Sequence, residues 1–217
     1  MHFTERLVEV PFVHAAVLHR RPARVLDVGC CESHLAVELA ALGIPTWGLD
    51  MRDYPLSHPN LTFVRADVRQ TPFPDGFFDC IVALSTLEHI GMGHTPYGPA
   101  PLGADADGDK AAMKELVRLL APQGRMVITL PFGRAADTAW YRVYDRRRLE
   151  GLAAAGGLVI PWLRCFARQG GFWQPVAPET GEALDSAGAA AVQAVACFIA
   201  CRRDSDPAQG WEPLCGF

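Results

Sequence analysis

The stretch Arg24-Val25-Leu26-Asp27-Val28-Gly29-Cys30-Cys31-Glu32-Ser33-His34-Leu35 constrains this chain most. An apolar run ends in a glycine, and a helical pattern follows at once, with Leu35, Leu39 and Leu42 recurring at three- to four-residue spacing. Strand, tight turn and helix in that order form the unit of an open α/β sheet, where ligands bind at the carboxyl ends of strands. A dinucleotide turn reads G-x-G-x-x-G, so that a pyrophosphate can approach bare backbone. This turn holds Gly29 without such companions, and Asp27 stands just before it. A carboxylate there repels a pyrophosphate and suits a ligand carrying an ammonium group.

Composition narrows the class. With 217 residues, half of them apolar, the chain is long enough for one α/β domain with a full core. Its net charge of −4 leaves no polybasic footprint, so nucleic acid is not expected as a partner. No apolar run reaches the length of a membrane span, and the start Met1-His2-Phe3-Thr4-Glu5 does not resemble a signal peptide. The seven cysteines (Cys30, Cys31, Cys80, Cys165, Cys197, Cys201 and Cys215) are odd in number and contain no C-x-x-C pair. They read as buried thiols of a reducing, cytoplasmic compartment, without a zinc site. Oligomeric state is not legible, and a homodimer stays open.

Pro11 divides the apolar positions of residues 3–21, which predicts two short helices, or a turn and a helix, in an N-terminal cover over 1–22. A second strand ends in Asp50, which follows Gly29 by 21 residues. An acid at that distance accepts both hydrogens of a ribose diol, whether in a nicotinamide nucleotide or another adenosine ligand. A third strand, Leu61 to Asp67, also ends in an acid, and the Pro74-Asp75-Gly76 turn feeds a fourth ending near Leu84-Ser85. Glu88 and His89 follow. A histidine titrating near ~6.5 is the best general-base candidate in the chain, with Glu88 to orient it.

Residues 91–109 are too rich in Gly and Pro for a regular element and predict a substrate-side loop, with His94 and Tyr97 within it. Its acids Asp105, Asp107 and Asp109 lack the distal Glu of a calcium loop, so they read as caps for the next helix, and no metal is expected. After a fifth strand (125–131), Trp140, Tyr141 and Tyr144 are candidates for a pocket wall, and Arg134 or Arg142 for an anion clamp. Asp145 caps a helix, a sixth strand over 158–168 has a break at Pro161, residues 170–188 form a second flap, and a last strand spans 194–201.

These segments together resemble the class I S-adenosylmethionine-dependent methyltransferases, in their methyltransferase type 11-like branch. The first motif of that family is V-L-D-x-G-x-G-x-G. Here Asp27 and Gly29 match it, while Cys31 and Ser33 stand at the later glycine positions in a variant similar to G-C-x-E-S-x-L. Pro72-Phe73-Pro74-Asp75-Gly76-Phe77-Phe78-Asp79 is similar to the family's P-F-x-D-x-x-F-D segment. The run Arg118-Leu119-Leu120-Ala121-Pro122-Gln123-Gly124-Arg125 is similar to its helix-turn-strand R-x-L-x-P-G-G.

The resemblance implies a single Rossmann-like α/β domain over 1–217, with a seven-stranded sheet, mostly parallel, whose last strand inserts antiparallel. It implies S-adenosylmethionine held by Asp27, Gly29, Cys30, Cys31, Asp50, Met51, Asp67, Val68, Leu84 and Ser85. The implied activity is methyl transfer to an oxygen, or less readily a nitrogen, of a small metabolite or sugar unit. The residues leave three other readings open: a non-catalytic S-adenosylmethionine-binding protein, given Cys31 and Ser33; a nicotinamide-dependent oxidoreductase, given Asp50; and a partner-binding module with an empty pocket.

Overall fold

The computed structural model describes residues 4–93, 104–188 and 191–205. In chain order the strands are β1 (Val25–Val28), β2 (Thr46–Asp50), β3 (Leu61–Arg65), β4 (Phe78–Leu84), β5 (Leu120–Pro131), β6 (Ala136–Asp137), β7 (Arg142–Val143), β8 (Leu158–Gln169), β9 (Phe172–Val176) and β10 (Ala194–Arg202). The α-helices are α1 (Arg6–His19), α2 (Leu35–Ala41), α3 (Gly108–Leu119), α4 (Arg146–Ala155) and α5 (Pro178–Glu182). Short 3-10 turns cover Cys30–Glu32 and Leu87–His89.

Among the described residues, eight strands form one sheet in the order β3-β2-β1-β4-β5-β10-β8-β9, and β6 and β7 form a small hairpin beside it. The pairs from β3 through β5 are parallel, and β10 runs antiparallel to both β5 and β8. The inserted antiparallel strand is thus as expected. The count exceeds seven because β9 folds back on β8 from within the predicted 170–188 flap.

β1 is buried along its whole length, which suits a central strand covered on both faces. Alternation divides its side chains. Leu26 and Val28 pack with Met113, Leu116 and Leu149 of α3 and α4 on one face. Val25 packs with Phe12, Val13, Leu35 and Leu39 of α1 and α2 on the other. Asp27 shares the parity of Val25 and so lies on the α1 and α2 side. The strand order reverses between β1 and β4, and the crevice at such a switch point is where open sheets take ligands. Gly29 leaves β1 there, and Ser85 leaves β4 beside it.

Two local expectations are corrected. The N-terminal cover is one helix, with Pro11 inside α1. Pro11 and Leu7 are both exposed, so water can satisfy the Leu7 carbonyl that Pro11 leaves without a partner. The sixth strand is continuous through Pro161, because the ladder between β8 and β10 shifts register between Ile199 and Cys201 and absorbs the proline in a bulge. No described helix is long and apolar enough to cross a membrane.

Candidate functional site

Gly29 has φ of 75°, a left-handed conformation that a side chain resists. Its N–H donates to the Leu49 carbonyl at 2.8 Å, which ties the turn to the end of β2. A Cβ on Gly29 would come within 2.5 Å of Thr86 Cγ2 and Oγ1. Thr86 Oγ1 lies 3.0 Å from the Val28 carbonyl and 3.1 Å from the Leu84 carbonyl, so its hydroxyl stitches β1 to β4 at the switch point. Glycine is needed at 29 because Thr86 crosses over it. Cys31, at the family's second glycine position, sets its half-buried thiol beside the carbonyls of Arg52 and Asp53 at 3.7 and 3.6 Å.

The two strand-end acids share one local design. Asp50 Oδ2 accepts the Cys31 N–H at 3.1 Å, while Oδ1 accepts the Arg52 N–H and Nε–H at 3.0 and 3.2 Å. Asp67 accepts the Arg69 N–H at 2.8 Å and its Nη2–H at 2.7 Å. Burial alone would raise both carboxyls, but these donors win and hold both below the usual carboxylate range. Arg52 also pairs with Glu32 of the turn, and Arg69 lies 3.4 Å from Asp105. Met51 is exposed, whereas Val68 and Leu84 are buried.

Asp27 is 1% exposed, and its Oδ2 has no hydrogen-bond partner. Burial pushes its carboxyl up to about 8, against a partial opposing pull from Arg6. Arg6 Nη1 sits 2.7 Å from Glu9 Oε2, and Ser85 Oγ donates to Glu9 Oε1 at 2.6 Å. Ser85 has φ of 44°, a strained value for a side-chain-bearing residue, and Thr129 fixes it by accepting its N–H through Oγ1 at 3.0 Å. Glu88 is also buried, with Oε2 unpartnered, and burial raises its carboxyl well above normal. One arginine from α1 therefore faces three buried carboxyls, Glu9, Asp27 and Glu88.

His89 lies just beyond them. Its Nδ1 is 2.7 Å from the Trp140 carbonyl, which can only accept, so Nδ1 carries the proton and Nε2 holds a lone pair. Nε2 is 3.7 Å from Glu88 Oε1. The ring stacks on Trp140 at 5.2 Å between centroids with the planes 7° apart. Burial lowers its pKa and keeps the imidazole neutral. Trp140 keeps 37% exposure, so the stack has an accessible side.

Arg142 and its neighbour Tyr144 are corrected. Arg142 is buried and donates to the carbonyls of Ile90, Asp105 and Ala106 at 2.5, 3.0 and 3.3 Å. It pins both ends of the 91–109 segment, which commits its Nη1 and Nη2 groups to the backbone. Tyr144 is interior, donating to Asp109 at 2.7 Å. Arg134 is exposed, 3.4 Å from Asp185. His94 and Tyr97 lie outside the described residues. A cavity of about 450 Å³ lies between the starts of α3 and α4, lined by Lys110, Asp137, Arg147 and Arg148 among others, and neither Asp27 nor His89 borders it.

The structure thus brings Asp27, Gly29, Cys30, Cys31, Asp50, Ser85, Glu88 and His89 to one sheet edge. Sequence reasoning missed Arg6, Glu9, Arg52, Arg69 and Thr86. A signal existed for most of them. Asp-x-Arg occurs at both strand ends, as Asp50-Met51-Arg52 and Asp67-Val68-Arg69, and Glu9 falls on the apolar stripe of Phe12, Val13 and Ala16.

A family model described as a methyltransferase domain matches residues 2–187. A ubiquinone/menaquinone biosynthesis C-methyltransferase of Pseudomonas putida is 27% identical over 150 residues, which are 63% of this chain and 52% of that one. The chain spans about half the length of the curated relatives it matches. Among solved structures, the 1,6-didemethyltoxoflavin-N1-methyltransferase of Burkholderia thailandensis, with bound 1,6-didemethyltoxoflavin and S-adenosylhomocysteine, superposes with a TM-score of 0.62 at 19% identity. The match covers 92% of this chain and 80% of that one. A (4+2)-cyclase, SpnF, superposes at 0.61 and 18% identity, covering 90% and 80%. At these identities the likeness is one of fold.

Proposed function

The chain belongs to the methyltransferase domain family, and from that premise we propose that it transfers a methyl group from S-adenosylmethionine to an oxygen, less readily a nitrogen, of a small metabolite or glycan precursor. The observation that carries this is the unpartnered, buried Oδ2 of Asp27 beside the left-handed Gly29 at the switch point. A buried carboxyl oxygen without a partner costs stability, and a cationic ammonium group is a partner of the right charge for it. The residues present fit the cofactor on this ground.

When bound, S-adenosylmethionine supplies an electrophilic methyl group on a sulfonium. Asp27 takes its ammonium group. Asp50 takes the ribose diol through the lone pairs that Arg52 and Cys31 leave, since each carboxylate oxygen accepts more than one bond. Asp67 and the Val68 amide serve the adenine. Trp140 walls the acceptor side and excludes water. His89 Nε2 takes the acceptor's hydroxyl proton, because its other nitrogen is committed to Trp140. Glu88 Oε1, 3.7 Å from Nε2, borders the ring and orients it; burial raises its carboxyl well above normal, so it does so as a neutral acid. Alignment of acceptor and methyl supplies most of the rate enhancement, as in other transfers between positioned groups.

The carbon-methylating activity named for the relatives favours a second reading. A ring hydroxyl deprotonated at His89 can direct attack through a ring carbon, so the same residues serve carbon methylation of a phenolic acceptor. Calorimetric titration with S-adenosylmethionine, S-adenosylhomocysteine and NAD in parallel tests the cofactor. The expected result is micromolar binding of the first two, lost in Asp50→Ala. Binding of NAD instead would replace the proposal with an oxidoreductase, and binding without methyl transfer to any acceptor would leave a non-catalytic cofactor-binding protein.

A further inference from the structure

Cys30 and Cys31 have no part in the transfer beyond lining the turn, yet their thiols converge. The two sulfurs and a carboxylate oxygen of Asp50 all lie within 4.8 Å of one another. Cys30 is buried in the turn, and Cys31 is half-buried at its rim. The turn itself creates the cluster. Gly29 reverses the chain, the 3-10 turn of Cys30–Glu32 follows, and the Cys31 amide holds Asp50 at 3.1 Å. Sequence spacing could not show this, because the usual signal for such a site is C-x-x-C, and here adjacent cysteines join an acid on the next strand.

Two thiols and a carboxylate are a donor set for a soft or borderline divalent cation. With metal–sulfur bonds of about 2.3 Å, tetrahedral geometry separates two sulfurs by about 3.8 Å, so side-chain adjustment of about 1 Å closes the set. We propose that Cys30, Cys31 and Asp50 form a site for a thiophilic divalent cation such as zinc or cadmium, and that the cation competes with the nucleoside for Asp50. Coordination forms two metal–sulfur bonds and one metal–oxygen bond and releases the two thiol protons to solvent, with no change of oxidation state. The fourth position is left to water. Arg52 is compatible with this arrangement because it engages Asp50 mainly through Oδ1.

The cation half of the proposal stands without the methyltransferase reading, and the competition half rests on it. The full chain, reduced and metal-free, is titrated with Cd²⁺ while the ultraviolet thiolate-to-metal band is followed. S-adenosylhomocysteine is then titrated with and without saturating Zn²⁺. One equivalent of Cd²⁺ is expected to develop the band. Cys31→Ser and Cys30→Ala are each expected to remove it, with thermal unfolding verifying that the variants fold. Because Cys31 sits at the rim, its serine variant keeps the test valid if Cys30→Ala does not fold. Zinc is expected to weaken S-adenosylhomocysteine by at least about tenfold. No band in the native chain, or an undiminished band in Cys31→Ser, overturns the site. A band with unchanged nucleoside affinity overturns the shared use of Asp50. Failure of the metal-free chain to bind S-adenosylhomocysteine counts against the methyltransferase reading and leaves the Cd²⁺ band to decide the cation site.

Discussion

Asp27 and Asp109 are both buried carboxylates near the carboxyl edge of the sheet, 1% and 5% exposed, and their surroundings differ. Asp109 accepts the Tyr144 hydroxyl at 2.7 Å and the Lys110 N–H at 2.8 Å. Asp27 keeps an oxygen with no partner, and so does Glu88 on the neighbouring strand end. The wall beneath residues 104–109 borders the cavity between α3 and α4, yet its polar groups are paired within the protein: Arg142 on carbonyls, Tyr144 on Asp109. The crevice between β1 and β4 is left incomplete. That contrast coincides with the switch point between β1 and β4, and the two together are the reason the crevice is proposed as the ligand site.

The largest expected effect lies where this incompleteness meets reacting atoms. His89→Gln removes the imidazole whose Nδ1 is committed to the Trp140 carbonyl, and with it the Nε2 lone pair proposed to take the acceptor's proton. General-base loss of this kind costs about a hundred- to ten-thousand-fold in kcat. S-adenosylhomocysteine binding, read by calorimetry, should survive. If it is lost as well, the His89–Trp140 stack is part of the wall and not of the chemistry, and His89 belongs with Tyr144 in the comparison.

Asp27→Asn tests the incompleteness directly, and binding and stability should move in opposite directions. Loss of a charge-assisted bond to the ammonium weakens S-adenosylhomocysteine by about ten- to a hundredfold. The folded pKa of Asp27, about 8, lies above its unfolded value near 3.9. The native chain therefore holds the proton more tightly than the unfolded chain between those values. The stability this confers is complete below pH ~4 and is lost as pH rises through the folded pKa, at up to about 1.4 kcal/mol per pH unit. Asparagine cannot ionise, so the variant should unfold at a higher temperature than the native chain at pH 8, and the gap should close toward pH 5. Parallel pH curves for the two chains would mean that Asp27 is already paired as a carboxylate.

The sequence carried the frame and the acids, and it failed where partners are remote in the chain. Gly29, Asp50 and Asp67 were legible because turn chemistry and strand ends are local. Arg142 and Tyr144 misled because an arginine among aromatics reads as a pocket wall. Their actual partners, the Ile90 carbonyl and Asp109, are 52 and 35 residues away. Thr86 was invisible for the same reason, since its role is to cross Gly29 from another strand. The break expected at Pro11 is absent from α1 because the rule behind it takes no account of a proline whose missing bond faces water. β9 was hidden in a Gly- and Pro-rich stretch whose strand character arises only by pairing to β8.

The smallest expected effect falls on the completed side of the comparison. Tyr144→Phe keeps the ring in its buried place and removes only the hydroxyl that Asp109 accepts. The carboxylate is left short of a donor in a dry environment, which costs about 1–3 kcal/mol of stability by chemical denaturation. The Lys110 N–H remains, so the lower part of that range is expected. S-adenosylhomocysteine affinity should not change, because Asp109 and Tyr144 serve the wall and not the crevice. A variant as stable as the native chain would mean that water replaces the hydroxyl. The wall would then be as open as the crevice, and the contrast between Asp27 and Asp109 would no longer mark the ligand site. A variant that is destabilised yet binds normally would confirm that the same residue type, equally buried, serves structure at one edge and recognition at the other.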